Sequence, residues 1–226
     1  MEVHVVTADN QGLYGAELDR FFVERHRIYV EELHWRDPSP DGREIDQFDT
    51  DEAVYLIGIE NGRVITGSRF LPTSRPHLLS EVFPHLCDKM ICDPMVAEWT
   101  RGFIVEDRRE RAGVKLKAAF CAAVMDYCLE EGITRIGGIQ EVGWLALWER
   151  FGWNVEITGR RELFGKKWWV PAYFDVSEGA AAGARRYARL NHSILVKRGS
   201  IRRFGPECDR DEYWAAAATQ LTPAAA

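Results

Sequence analysis

Asn61-Gly62 divides two apolar runs, "AVYLIGIE" (residues 53–60) and "RVITGSRFL" (residues 63–71), and this is the stretch that most limits how the chain can fold. A two-residue loop of this kind needs positive φ at both central positions, which Asn and Gly reach at low cost, and its twist suits paired strands. An antiparallel strand pair is predicted here. Upstream, "EVHVVT" alternates like a strand. Tyr14, Leu18, Phe22, Arg25, Tyr29 and Leu33 then recur at helical spacing through a long segment opened by Asp9 or Asn10. Downstream, "VAEWTRGFIV" reads as a strand, followed by a helix through Val114, Ala118, Cys121, Met125 and Leu129 that Gly132 stops. "ITRIGGIQ" is a further, buried strand. Residues 96 to 139 thus form a strand-helix-strand crossover whose strands run parallel or splay from a shared start, a common setting for small-ligand sites.

A short helix carrying Trp144, Leu147, Trp148 and Phe151 is expected to end at Gly152, before a hairpin-like region containing "KKWWVPAYFDV". Ser177 is placed to cap a last helix reaching about Leu195. Mixed elements in this order predict an α/β fold, a single-domain α-β-α sandwich on a mixed twisted sheet. The domain is expected over residues 1–204, with residues 205–226 a poorly ordered tail.

A chain of 226 residues fits one domain with a sizeable core. Its apolar runs fall short of a membrane-spanning helix, and the start, "MEVHVVTADNQG", has neither a basic region nor an apolar signal core. A cytoplasmic protein with no membrane association is expected. The five cysteines form no CxxC pair and fit a reducing compartment. A net charge of −6 argues against a nucleic-acid partner.

Charges stand where core is expected. Arg25, Arg69 and Arg101 interrupt apolar segments, as do Asp46, Asp49 and Glu98. Ions in such segments need partners, because an isolated buried charge costs several kcal/mol or more. Their mutual pairing serves equally an architectural network or a ligand pocket. A metal site is disfavoured, since no histidine stands in register with the carboxylates and arginines already balance them.

The order of the set carries more. Arg25-x3-Tyr29-x5-Trp35, Glu44-x-Asp46-x2-Asp49, Tyr55-Leu56 before a hairpin with "SRFLPT", then Phe83 and Glu98-x2-Arg101 resemble the acyl-homoserine lactone synthases, the autoinducer synthases of bacterial quorum sensing. The resemblance runs densely from about residue 5 to 105 and more loosely through "RFGW" (residues 150–153). It implies a fold similar to acyl-CoA N-acyltransferases. It also implies a reaction in which the amine of S-adenosylmethionine takes an acyl chain from a thioester and its carboxylate then closes the lactone, releasing methylthioadenosine. S-adenosylmethionine is a co-substrate, and no cofactor or metal is implied.

On that resemblance, Glu98 is the candidate base or water-orienter, with Arg101 beside it as a second catalytic candidate. Arg25, Tyr29, Trp35, Asp46, Asp49, Arg69 and Phe83 are the candidate S-adenosylmethionine pocket, the acids meeting its cationic end and the rings forming a wall. Thr100, Phe103, Ile104, Gly138, Trp144 and Leu147 are the candidate groove for the acyl donor. Oxyanion stabilisation is expected from backbone N–H groups near a break in the central strand. The donor is an acyl-carrier protein or acyl-CoA. Arg108, Arg109, Arg111, Lys115 and Lys117 could meet either one's acidic groups or form a solvated face. Three positions depart from the family pattern: Tyr29 stands for the usual phenylalanine, Gly102 for a frequent aromatic, and Gly138 for a hydroxyl-bearing residue associated with 3-oxo chains. The last favours an acyl group without that oxygen, short, branched or aromatic. The alternative activity is acylation of a different amine by the same fold.

Overall fold

The computed structural model describes residues 1–205, with the side chains of residues 110–113 excepted. The tail expected from residue 205 onward lies, beyond Gly205, outside the described residues.

The predicted hairpin forms. β2 (Val54–Glu60) and β3 (Arg63–Pro72) pair antiparallel, with φ of 52° at Asn61 and 74° at Gly62. β1 (Glu2–Val6) adds antiparallel to β2, and β4 (Val96–Ile104) adds antiparallel to β3. α3 (Glu106–Glu131) then crosses over to β5 (Arg135–Glu141), which runs parallel to β4. β8 (Lys167–Asp175) lies antiparallel to β5, and two short strands, β6 (Val155–Ile157) and β7 (Glu162–Phe164), pair with its far edge. With β9 (Leu195–Lys197), the described strands make one mixed sheet in the order β6-β8-β5-β4-β3-β2-β1-β9, with β7 on β8.

Helices cover both faces. On one, α3 packs with α4 (Val142–Arg150) and α5 (Glu178–Ala188) over Phe70, Trp99, Ile136, Trp148, Trp153 and Phe174. On the other, α1 (Gly15–Arg25) and the π-helical turn His26–Glu32 that extends it cover Phe21, Tyr55, Leu71 and Phe103. A four-residue helix, α2 (Leu78–Glu81), sits on the same side.

Two expectations are corrected. The first helix begins at Gly15 rather than at Asp9 or Asn10, because the Asn10 side chain is spent on Thr7 N–H and on the carbonyls of Val5 and Arg198. The last helix ends at Ala188, where Arg189 turns left-handed (φ 58°), and does not reach Leu195. Residues 195–197 instead form β9 (Leu195–Lys197), parallel to β1. They are strand because β1 lies beside them and offers its edge for pairing.

Candidate active site

β4 and β5 pair only from Val96–Arg135 to Glu98–Gly137, then diverge, so the sheet opens into a cleft above that last pair. Glu98 stands at its root with no solvent exposure. Its carboxylate accepts the backbone N–H groups of Leu78 (2.9 Å) and Leu79 (2.7 Å), which ties α2 to the sheet. Arg101 does not pair with it. Farther along β4, Ser68 of β3 faces two residues, Arg101 and Gly102, in a β-bulge, since Gly67 pairs with Phe103 but Arg69 with Thr100. Arg101 holds φ 54° there, a conformation costing a non-glycine residue about 1–3 kcal/mol that its surroundings must offset.

Those surroundings are a buried ionic cluster. Arg25 grips Asp49 with two bonds (2.7 and 2.9 Å) and donates through Nε to Glu44 (2.6 Å). Arg69 grips Asp46 (2.5 and 3.2 Å) and reaches Asp49 at 2.9 Å. Arg101 bridges Asp46 (2.7 Å) and Glu44 (3.1 Å). Three guanidiniums and three carboxylates thus neutralise one another, with the half-exposed Arg36 at the rim, 3.6 Å from Glu44. The short loop is shaped for this. Asp46 accepts Phe48 N–H at 2.9 Å and Asp49 accepts Asp46 N–H at 2.8 Å, so each acid also fixes the turn that presents it.

An ionised carboxylate offers about four acceptor positions. Asp46 takes two donors from Arg69, one from Arg101 and one from Phe48 N–H. Asp49 takes Arg25 twice, Arg69, Asp46 N–H and the Tyr55 hydroxyl (3.0 Å). Both are full. Glu98 accepts two and has capacity left.

Burial pushes Asp49 upward, but Arg25 and Arg69 outweigh it and hold the carboxyl well below the usual range. Glu44 is likewise raised by burial and brought below its ordinary value by Arg25 and Arg101. Burial lifts the Tyr29 phenol to about 12, against the opposing pull of Arg101, whose guanidinium lies 5.2 Å from the ring centroid. The Tyr29 hydroxyl donates to the Gly102 carbonyl (2.7 Å), which pins the bulge.

The family model for autoinducer synthases matches residues 9–182. The chain belongs to that family. Among curated proteins it is 40% identical over 210 residues to an isovaleryl-homoserine lactone synthase of Bradyrhizobium diazoefficiens, covering 92% of this chain and 91% of the relative. Among solved structures it is similar to BjaI, a CoA-dependent acyl-homoserine lactone synthase determined with SAM and isopentyl-CoA. The TM-score is 0.82 and the identity 34%, over 96% of this chain and 99% of that one. MesI, another CoA-dependent acyl-homoserine lactone synthase, superposes with a TM-score of 0.79 at 30% identity, covering 85% and 98%. The fold extends to an N-acetyltransferase-type structure from Lactobacillus plantarum (TM-score 0.52, 13% identity, 78% and 100%), a likeness of fold alone.

In this autoinducer synthase the remaining candidates divide. Tyr29 and Trp35 meet at 5.2 Å between ring centroids, beside Arg101. Phe83 keeps its nearest rings elsewhere, against Phe164 (5.2 Å) and His85. Thr100 is buried on β4 with its hydroxyl unbonded, whereas Phe103 packs under α1 against Phe21 (5.5 Å). Ile104 gives its carbonyl to Arg109. Gly138 flanks Glu98, and a Cβ built there would lie 3.0 Å from Glu98 Cγ. Trp144 stacks on Trp148 at 5.9 Å, and Leu147 packs on the same core. Of the basic residues at the start of α3, Arg108 pairs with Glu60, Arg109 with Glu32, and Lys117 lies over the Trp144 ring at 3.8 Å. The Arg111 side chain lies outside the described residues. Sequence reasoning placed Glu44 and Tyr55 in the motif but named neither among the pocket residues, where the structure joins both to the ionic cluster. Glu44 carried a signal, its alternation with Asp46; Tyr55 sits inside a strand-like run that reads as packing.

Proposed function

We propose that this chain makes an N-acyl-homoserine lactone from S-adenosylmethionine and an acyl-CoA. The observation that carries the reading is the contrast among four buried carboxyl groups at the site. Glu44, Asp46 and Asp49 are committed to arginines, while Glu98 keeps acceptor capacity at the root of the cleft. Gly138 offers no side chain to block the approach to Glu98.

The chemistry divides between them. The amine of S-adenosylmethionine must lose a proton to attack a thioester carbonyl, and Glu98 takes it, directly or through one water. The amide C–N bond forms as the C–S bond breaks, and CoA leaves as its thiol. The substrate carboxylate then attacks its own γ-carbon, the C–S bond to the sulfonium breaks, and methylthioadenosine leaves with the electron pair. This second step needs mainly positioning, because the leaving group is already cationic. It calls for no cofactor beyond the two substrates.

The ionic cluster is the frame for that positioning. Asp46 and Asp49 cannot meet a substrate cation without giving up an arginine, so their work is to hold Arg25, Arg69 and Arg101 in place. The sulfonium is met instead by the faces of Tyr29 and Trp35. Arg101 is 7% exposed and is the cluster's group for the substrate carboxylate.

Support for CoA as carrier comes from BjaI and MesI, both CoA-dependent synthases. Arg108 and Arg109 are already paired with Glu60 and Glu32, which weakens the case for a carrier-protein patch at the start of α3. A short branched acyl chain is supported by the isovaleryl relative, by the bare Gly138, and by the crowding of Trp99, Trp144, Trp148 and Trp153 beyond the sheet. No described helix is long and apolar enough to cross a membrane, and with CoA thioesters as donor the enzyme works in the cytoplasm. Mass spectrometry of lactones made by the chain in a heterologous host tests the reading. A lactone with a short branched acyl group is expected; a host extract without any lactone contradicts it.

A further inference from the structure

Three rings bridge the cleft on the α1 side. Tyr29 is tied to one wall by its hydroxyl bond to the Gly102 carbonyl of β4. Trp35 donates its backbone N–H to the Tyr29 carbonyl (2.9 Å) and lies 5.2 Å from that ring. It also meets Trp169 edge to face, with centroids 4.8 Å apart and planes at 73°. Trp169 belongs to the opposite wall, on β8 in register with Glu141 of β5. Gly102 lies four residues beyond Glu98, and Glu141 four beyond Gly137, so the bridge crosses at one height above the last paired residues.

Trp169 brings something the other two rings do not. Its indole Nε1 is buried and has no hydrogen-bond acceptor. A buried indole N–H ordinarily finds one, and a donor left unmet in a ring that bridges the cleft is available to an acceptor on a ligand. The face is the one that carries Arg101 and Tyr29, where the proposed amine substrate sits. Adenine answers both features. It is a flat ring for an aromatic wall, and its edge nitrogens accept a hydrogen bond.

We infer that Trp169 is a substrate-contacting residue of the S-adenosylmethionine site, closing with Trp35 on the adenine and donating Nε1–H to a ring nitrogen. The inference rests on the proposed function.

Calorimetric binding of S-adenosylmethionine and of methylthioadenosine, with initial rates for both substrates, tests it on the wild type, W169F and W169A. W169F keeps a flat ring but loses the donor together with the indole's second ring. It should weaken both nucleosides about fivefold to tenfold, the size of one neutral hydrogen bond, and leave the KM for acyl-CoA within about twofold. W169A should weaken both further. If W169A fails to fold, W169F carries the test. W169F binding both nucleosides as tightly as wild type, or altering only the KM for acyl-CoA, overturns the inference and leaves the proposed function standing. A wild type that binds neither nucleoside overturns both.

Discussion

Glu98 and Gly138 stand side by side at the root of the cleft, so close that a Cβ on Gly138 would lie 3.0 Å from Glu98 Cγ and 3.6 Å from its Oε1. Gly138 also holds φ 122°, where side-chain-bearing residues are strained. Gly138→Ala is therefore expected to cost about 1–3 kcal/mol of stability. It should also lower kcat more than it raises the KM for S-adenosylmethionine, because the added methyl crowds Glu98 and not the ring wall. Denaturant melts and steady-state rates check the two parts; wild-type kcat in the Gly138→Ala variant would show that the approach to Glu98 runs elsewhere.

Glu98→Gln keeps the shape of the side chain but loses the base and one acceptor for the α2 N–H groups. We expect lactone turnover to fall by about a hundredfold or more, the usual size of general-base catalysis. Binding of S-adenosylmethionine, measured by calorimetry, should change little. Unaltered lactone output from this variant would remove Glu98 from the mechanism.

The hairpin, the crossover helix and its stop at Gly132 were legible because Asn-Gly turns and long apolar periodicities are local signals. The end of α5 was not, since Arg189 takes the left-handed turn with no glycine to announce it. β9 was hidden for a different reason: its three residues are strand only because β1, from the other end of the chain, lies beside them. At the site, the charged set could be read from spacing, but its division of labour could not. Whether Asp46 meets a substrate or Arg69 depends on which donors fill its oxygens, and only the folded geometry counts them. The bulge at Arg101 and Gly102 was foreseen only as a break near the acyl groove, without its location.

Asp46→Asn removes the charge that faces Arg69 and Arg101 while keeping the side-chain size. Breaking a buried pair from one side strands its partner, so a loss of about 3–5 kcal/mol in unfolding free energy is expected. Chemical denaturation measures it. A loss below about 1 kcal/mol, typical of surface ion pairs, would mean that the cluster is open to water in solution.

Acid should unfold the protein through the same cluster. The folded state holds Asp49 and Glu44 below their ordinary values, so the unfolded chain binds protons more readily. Their contribution to stability is complete above the unfolded values of about 4 and is lost as pH falls through the lower folded ones. Melting temperatures from pH 7 to pH 3 should thus stay level on account of these groups down to about pH 5 and drop below it, with a shallower drop in Glu44→Gln. An equal drop in the variant would assign acid sensitivity to other carboxylates.

On the proposed function, one cleft both acylates and lactonises. Purified protein given S-adenosylmethionine and isovaleryl-CoA, followed by quantitative mass spectrometry, tests it most directly. Acyl-homoserine lactone, methylthioadenosine and free CoA are expected in equal amounts; acylated amine and free CoA without methylthioadenosine would overturn the assignment.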